Sequence, residues 1–209
     1  MAKIASYFKR GTQNWTISGD VNAFEWRPAG GNPTGHLSWQ DAAAGNVAYW
    51  QAPVKYLGNL RAFINGTLSF DWFSSGGSRF DDADLVLNGG NGVTLVADVT
   101  DPGSDWSHVS VRLGMHGHWH IGTMEGPLAT GKQIAAVLRD VAQFQNRAEH
   151  INGNETGGLD NVVLLSKPQP DPVPDLSAAF KTGDQALAVD RLGVPPIWHG
   201  PDTVQAMLV

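Results

Sequence analysis

The 209-residue sequence contains no cysteine. Disulfides, thiolate nucleophiles, iron–sulfur clusters and cysteine-bound zinc are therefore excluded from its chemistry. Charge is sparse as well: 16% of residues are Asp, Glu, Lys or Arg, and the formal balance is −6. No basic run offers phosphates a landing strip, which argues against nucleic acid as a partner, and the same deficit argues against anionic membrane surfaces. No apolar stretch is long enough to cross a bilayer. The opening "MAKIASYFKRGTQNW" is basic but lacks the apolar core of a secretory signal. Familiar enzyme signatures are missing too: there is no P-loop, no G-x-G-x-x-G opening a helix, no G-x-S-x-G and no H-E-x-x-H. The adjacent acids of "RFDDADL" (79–85) offer paired carboxylates for glycoside hydrolysis, yet nothing fixes their separation, and a solvated turn or an ion site accounts for them better.

What is present points to strands. The chain has 25 Gly and 12 Pro for tight turns, with eight Trp and eight Phe to fill a core. In "TLSFDWF", Leu68, Phe70 and Trp72 share one face while Ser69 and Asp71 take the other; "GVTLVADV" alternates similarly, and "WSHVSVRL" groups Val109, Val111 and Leu113. Asn65-Gly66 reads as a hairpin turn, and "LNGGNGVTL" as a second reversal. One segment differs. In "TGKQIAAVLRDVAQF", Ile134, Val137, Leu138, Val141 and Phe144 recur at helical spacing behind a Thr130 N-cap, which predicts one short amphipathic helix packed on a β-sandwich. "LDNVVLL" reads as a final buried strand. "SKPQPDPVPD" (166–175) carries four prolines and reads as an extended linker. The organisation predicted is a sandwich over residues 1–167, a Pro-rich linker over 168–175, and a docking tail over 176–209 that is too small for a core of its own.

Several phrases, in order, resemble the laminin B domain (laminin domain IV), in its bacterial form: "GHLSWQDAAAGNVAYWQAPVKYLGNL", "NGTLSFDWF", "DADLVLNGGNGVTL" and "ATGKQIAAVLRDVAQFQNRAEHINGNETGGLDNVVLL". The likeness covers roughly residues 14–166. It implies an all-β jelly-roll sandwich, similar in shape to carbohydrate-binding modules, in a family of non-catalytic extracellular modules. It also implies a structural Ca²⁺ where the last strand meets the early loops, with Asp160 at the matching position and Asp41 as a possible partner within an oxygen shell. The competing reading is that these acids only hold turns. The chain departs from the family pattern in lacking a visible secretion signal and in carrying the linker and tail.

The stretch "MHGHWHIG" places His116, His118 and His120 at alternate positions. On a strand, i to i+4 spans roughly 13 Å, so one zinc with bonds of about 2 Å cannot take all three; a pair would need an added carboxylate, Glu125 being nearest in sequence. The plainer expectation puts Trp119 and Ile121 inside and the histidines outside, beside Trp106, His108 and Arg112 of the preceding strand. Such a face suits sugars: a ring stacks on a pyranose while imidazole and guanidinium groups bond hydroxyls or uronates. Trp26, Trp39, Trp50 and Trp72 are expected in the core. Trp198, in "PPIWHG", is expected to anchor the tail on a neighbouring subunit or another copy of the chain. The sequons at Asn14, Asn65 and Asn154 matter only in a eukaryotic secretory route. The function expected is a non-catalytic adhesion module that binds surface or capsular polysaccharide. It would be extracellular or carried on a phage-like particle, although a cytoplasmic location is compatible with the missing signal. The rival is a structural subunit whose Trp/His face is a protein interface, and a polysaccharide hydrolase or lyase comes third.

Overall fold

A computed structural model describes residues 1–42 and 45–168, and the following elements are those of the described residues. In chain order they are β1 (Lys3–Ser6), β2 (Thr16–Ser18), β3 (Val21–Arg27), β4 (His36–Asp41), β5 (Tyr49–Gln51), β6 (Thr67–Ser74), β7 (Leu85–Gly89), β8 (Thr94–Ala97), β9 (Ser107–Arg112), β10 (His120–Ile121), α1 (Gly131–Val137), β11 (Val141–Arg147) and β12 (Thr156–Leu165). Two sheets form. The first runs β3-β4-β12-β6-β9, with β1 also paired to β12; the second runs β10-β8-β7-β11-β5-β2. Every pairing is antiparallel. This is the all-β sandwich that the alternation and the family likeness predict.

Between the sheets lies an aromatic core. Trp15, Trp39, Trp50, Trp72 and Trp119 are buried, and with them Tyr56, Phe70 and Phe144. Their rings meet edge to face, Trp15 on Tyr56 at 5.3 Å and Phe70 on Trp72 at 5.0 Å. Such pairs add about 0.5–1.5 kcal/mol each to the burial of their area. Trp26 is an exception to the expected core set. It is only partly buried, and its indole N–H donates to the Phe8 carbonyl at the rim.

The predicted helix is cut short. Thr130 caps α1 with a full capping box, in which Thr130 and Gln133 bond each other's backbone N–H. Val137 nevertheless ends it, and Val141–Arg147 is a strand. A bulge between Val141 and Gln143 explains the misleading spacing. One extra residue turns Val141 and Phe144, three apart, to the same inner face, where an unbroken strand would oppose them. The reversal at "NGGNG" does join β7 to β8, with Gly92 N–H bonded to the Gly89 carbonyl. Asn65-Gly66 instead leads from a 3₁₀ turn (Arg61–Phe63) into β6 rather than joining two strands. Among the described residues, no helix is long and apolar enough to cross a membrane. Residues 169–209, which hold most of the proline linker, the tail and Trp198, lie outside the described residues.

Candidate functional site

The outer face of the first sheet is built by strict alternation. β6 buries Leu68, Phe70 and Trp72, and β9, at the edge, turns Val109 and Val111 inward, leaving His108, Ser110 and Arg112 exposed. In register, Asp160 of β12 stands opposite Asp71 of β6, which stands opposite His108 of β9. The two carboxylates are buried, and all four of their oxygens are bonded. Asp71 Oδ1 lies 2.6 Å from His108 Nδ1, and Oδ2 accepts from the side-chain amides of Asn32 (3.0 Å) and Asn161 (2.6 Å). Asp160 accepts from the backbone N–H groups of Asn32 (2.8 Å) and Asn161 (2.7 Å). Burial pushes the Asp160 carboxyl up to about 6, the nearby Asp71 charge adding to the rise and the two amides opposing it.

The three alternate histidines do not share a strand. Met115–Gly117 is a 3₁₀ turn and His118 is left-handed at φ 51°; only His120–Ile121 is extended, and it pairs with β8 in the second sheet. The cause is Trp119. Its ring is core and its N–H donates to the Arg112 carbonyl at 2.8 Å, which folds the chain back under the end of β9. His120 is thereby removed from the predicted face; its Nδ1 lies 2.8 Å from the Gly126 carbonyl. Ile121 is partly buried at the core margin. Glu125 is exposed, and among the described residues it forms no three-ligand group with these histidines. His116 and His118 do reach the edge of β9. With His108, Ser110 and Arg112 they line a groove of about 350 Å³ whose far wall is Asp98–Thr100.

Trp106 is also moved. It is half-buried instead of standing free, donates its N–H to the Gly30 carbonyl at 2.9 Å, and packs on Phe73 (4.8 Å) and His36 (5.3 Å). Two of these rings, Phe73 and Trp106, lie over Gly158 of β12: a Cβ there would stand 3.0 Å from the Trp106 ring and closer still to Phe73. His36 and Phe73 continue into a second groove of about 310 Å³, lined also by Glu25, Arg27, Ser38 and Gln40. Burial and the neighbouring Arg27 charge lower the His36 pKa, keeping the ring neutral. The expected single face is therefore two grooves, one of imidazoles and one beside an aromatic cluster. His36, Phe73 and Asp71 escaped sequence reasoning. The Gly157-Gly158 doublet in the last strand was the available signal, since side chains missing from a strand interior mark a close approach from outside.

Asp41 and Asp160, the two acids expected around a calcium ion, stand at separate places along the last strand. Asp41 lies beside Glu155, whose carbonyl accepts its N–H at 2.9 Å. That is five residues along β12 from Asp160, or roughly 16 Å at strand spacing, so one ion cannot take both. Both oxygens of Asp160 accept backbone N–H groups, those of Asn32 and Asn161. It holds the Asn32 and Asn161 backbone in place.

The sequence model described as Laminin B (Domain IV) matches residues 49–174, more than half of the chain. The chain is 24% identical over 176 residues to a basement membrane proteoglycan of Caenorhabditis elegans, covering 80% of this chain, and 26% identical over 162 residues to laminin subunit gamma-2 of Equus caballus, covering 70%. It spans only 5% and 13% of the lengths of those two proteins. Among solved structures, the L4b domain of human laminin alpha-2 superposes with a TM-score of 0.52 at 11% identity, over 57% of this chain and 70% of that one. The family 11 carbohydrate-binding module of a Clostridium thermocellum cellulosomal cellulase superposes with a TM-score of 0.53 at 13% identity, over 82% and 98%. At such identities the likeness is one of fold.

Proposed function

The chain belongs to the laminin B (domain IV) family, and on that premise we propose that it is a non-catalytic adhesion module that binds acidic polysaccharide along the edge of its first sheet. The observation that carries this reading is the groove of about 350 Å³ in which His108, Arg112, His116 and His118 converge. Imidazole and guanidinium groups donate to hydroxyls and to uronate carboxylates, and Arg does so with a fork. These donors come from a strand and a tight turn, elements that hold their positions before a ligand arrives, so little ordering is required on binding. The neighbouring His36–Phe73–Trp106 cluster supplies aromatic surface on the same sheet for the apolar side of a sugar ring. Two relatives are a laminin subunit and a basement membrane proteoglycan. They support an extracellular assembly as the setting, a phage-like particle being one such assembly.

Titration calorimetry with a uronic-acid polysaccharide tests the reading. The parent should bind, His118→Ala and Arg112→Ala should weaken binding about tenfold or more with unchanged melting temperature, and a neutral glucan should bind less well. Normal binding by both variants would remove the groove from the account. A second reading is favoured by one observation: among the described residues β9 is an edge strand, and such an edge suits pairing with another protein chain. Assembly with a partner, lost in the same variants and insensitive to added polysaccharide, would select it.

A further inference from the structure

The acidic turn 79–85 delivers Asp84 to a cluster the glycan face does not use. We propose that Asp84, Asp101 and His150 form a site for one divalent metal ion of the zinc class. One ligand atom from each side chain lies within 4.8 Å of the others. His150 Nδ1 is 3.8 Å from Asp84 Oδ1 and 3.7 Å from Asp101 Oδ1. These separations are too long for hydrogen bonds. They suit two ligands on a common ion, whose bonds are each about 2.0–2.2 Å.

The side chains are also prepared for an ion. Asp84 and His150 are buried, and neither Asp84 Oδ1 nor His150 Nδ1 has a hydrogen-bond partner. The Arg147 backbone takes a hydrogen bond from the His150 ring. His150 Nδ1, buried and without a hydrogen-bond partner, can turn a lone pair to an ion. Two carboxylates facing a lone pair repel one another unless something positive stands between them. One outer contact follows the pattern of metal sites: the other oxygen of Asp84 accepts the Val99 N–H at 2.8 Å, which fixes the carboxylate.

Arg147 is close but does not fill the gap. Three of its five N–H donors bond the carbonyls of Glu149 (2.7 Å), Asp82 (2.5 Å) and Phe80 (2.8 Å). The guanidinium stays 3.5 Å from Asp84 Oδ1 and 4.0 Å from Asp101 Oδ1, lessening the repulsion of the acids without bonding to the ligand atoms. The imidazole selects zinc, cobalt or nickel over calcium, which takes oxygen alone. Asp101, at 44% side-chain exposure, is the open side, where solvent completes the shell. In a chain without cysteine, such an ion would tie the entry to β7, the β8–β9 connection and the β11–β12 connection together.

The test is titration of the full chain with Co²⁺, read by visible absorption, and with Zn²⁺, read by calorimetry. One ion should bind per chain. Because the Trp72 ring meets His150 at 4.8 Å, Co²⁺ should also quench tryptophan fluorescence. Asp101→Asn, at a half-exposed position where the fold should be kept, should weaken uptake at least tenfold and abolish the rise in melting temperature with Zn²⁺. A His116→Ala/His118→Ala double variant should bind as the parent does. No uptake, uptake unchanged in Asp101→Asn, or uptake lost in the double variant would each overturn the site. Polysaccharide binding is read separately, so either result leaves the other standing.

Discussion

His108 and Asp71 face each other across neighbouring strands, with imidazole Nδ1 2.6 Å from carboxylate Oδ1. A carboxylate only accepts, so the shared proton lies on Nδ1 and the other ring nitrogen is presented outward at the groove. The two residues are unequal in what they support. His108 is 63% exposed at its side chain, whereas Asp71 is buried and also receives the amides of Asn32 and Asn161. Asp71→Ala should therefore cost about 1–3 kcal/mol, the penalty for donors left unpaired, while His108→Ala should stay within about 0.5 kcal/mol. Urea denaturation of both variants checks the asymmetry; equal losses would contradict it.

Asp160 predicts a pH dependence. Its carboxyl is raised in the folded state from 3.8 to about 6. Between those values the folded chain holds a proton that the unfolded chain has released, so stability from this group is fully present below about pH 4, falls as pH rises through the window, and levels off above 6. A rise of that size corresponds to at most about 3 kcal/mol. Asp160→Asn should lack this component. The stability difference between parent and variant should therefore narrow from pH 4 to pH 7; a constant difference would mean that the group titrates normally.

Gly158 lies under the aromatic cluster with no room for a side chain. Gly158→Ala should displace Phe73 and Trp106, costing about 1–3 kcal/mol as an overpacking change and altering near-ultraviolet circular dichroism. A neutral outcome would show that the rings shift without strain.

Trp119 sets the turn that brings His116 and His118 to β9. Trp119→Phe keeps a ring in the core but removes the N–H bonded to the Arg112 carbonyl. The expected loss is about 1 kcal/mol of stability, with a larger proportional loss of polysaccharide binding as the turn loosens. Paired calorimetry and denaturation decide it, and a loss of stability with binding unchanged would place the turn's order elsewhere.

The parts of the fold legible in sequence were those where one periodicity ran unopposed. Leu68, Phe70 and Trp72, like Val109 and Val111, point where a pleat of period two puts them. Misreadings arose where a local device changed the period. The bulge after Val141 made a strand imitate a helix, and the left-handed His118 broke an apparent strand at "HGHWH". In the candidate groove, His108, Arg112, His116 and His118 were legible in sequence because alternation or a short turn exposes them. Asp71 and His36 were not, because a buried acid held by Asn32 and Asn161, and a ring packed on Phe73 and Trp106, depend on residues far apart in sequence.

The register of β12 has a consequence for how the chain is made. This strand runs between β4 and β6 and also takes β1, so among the described residues the N-terminal strand pairs with one that follows it by more than 150 residues. Until residue 165 has left the ribosome, β4 and β6 have no strand between them and each presents a bare edge to its surroundings. Contacts this distant in sequence make folding slow, and exposed edges recruit other chains. Nascent chains stalled before "GGLDNVVLL" should therefore be protease-sensitive and prone to aggregate, with protection arriving abruptly once that segment emerges.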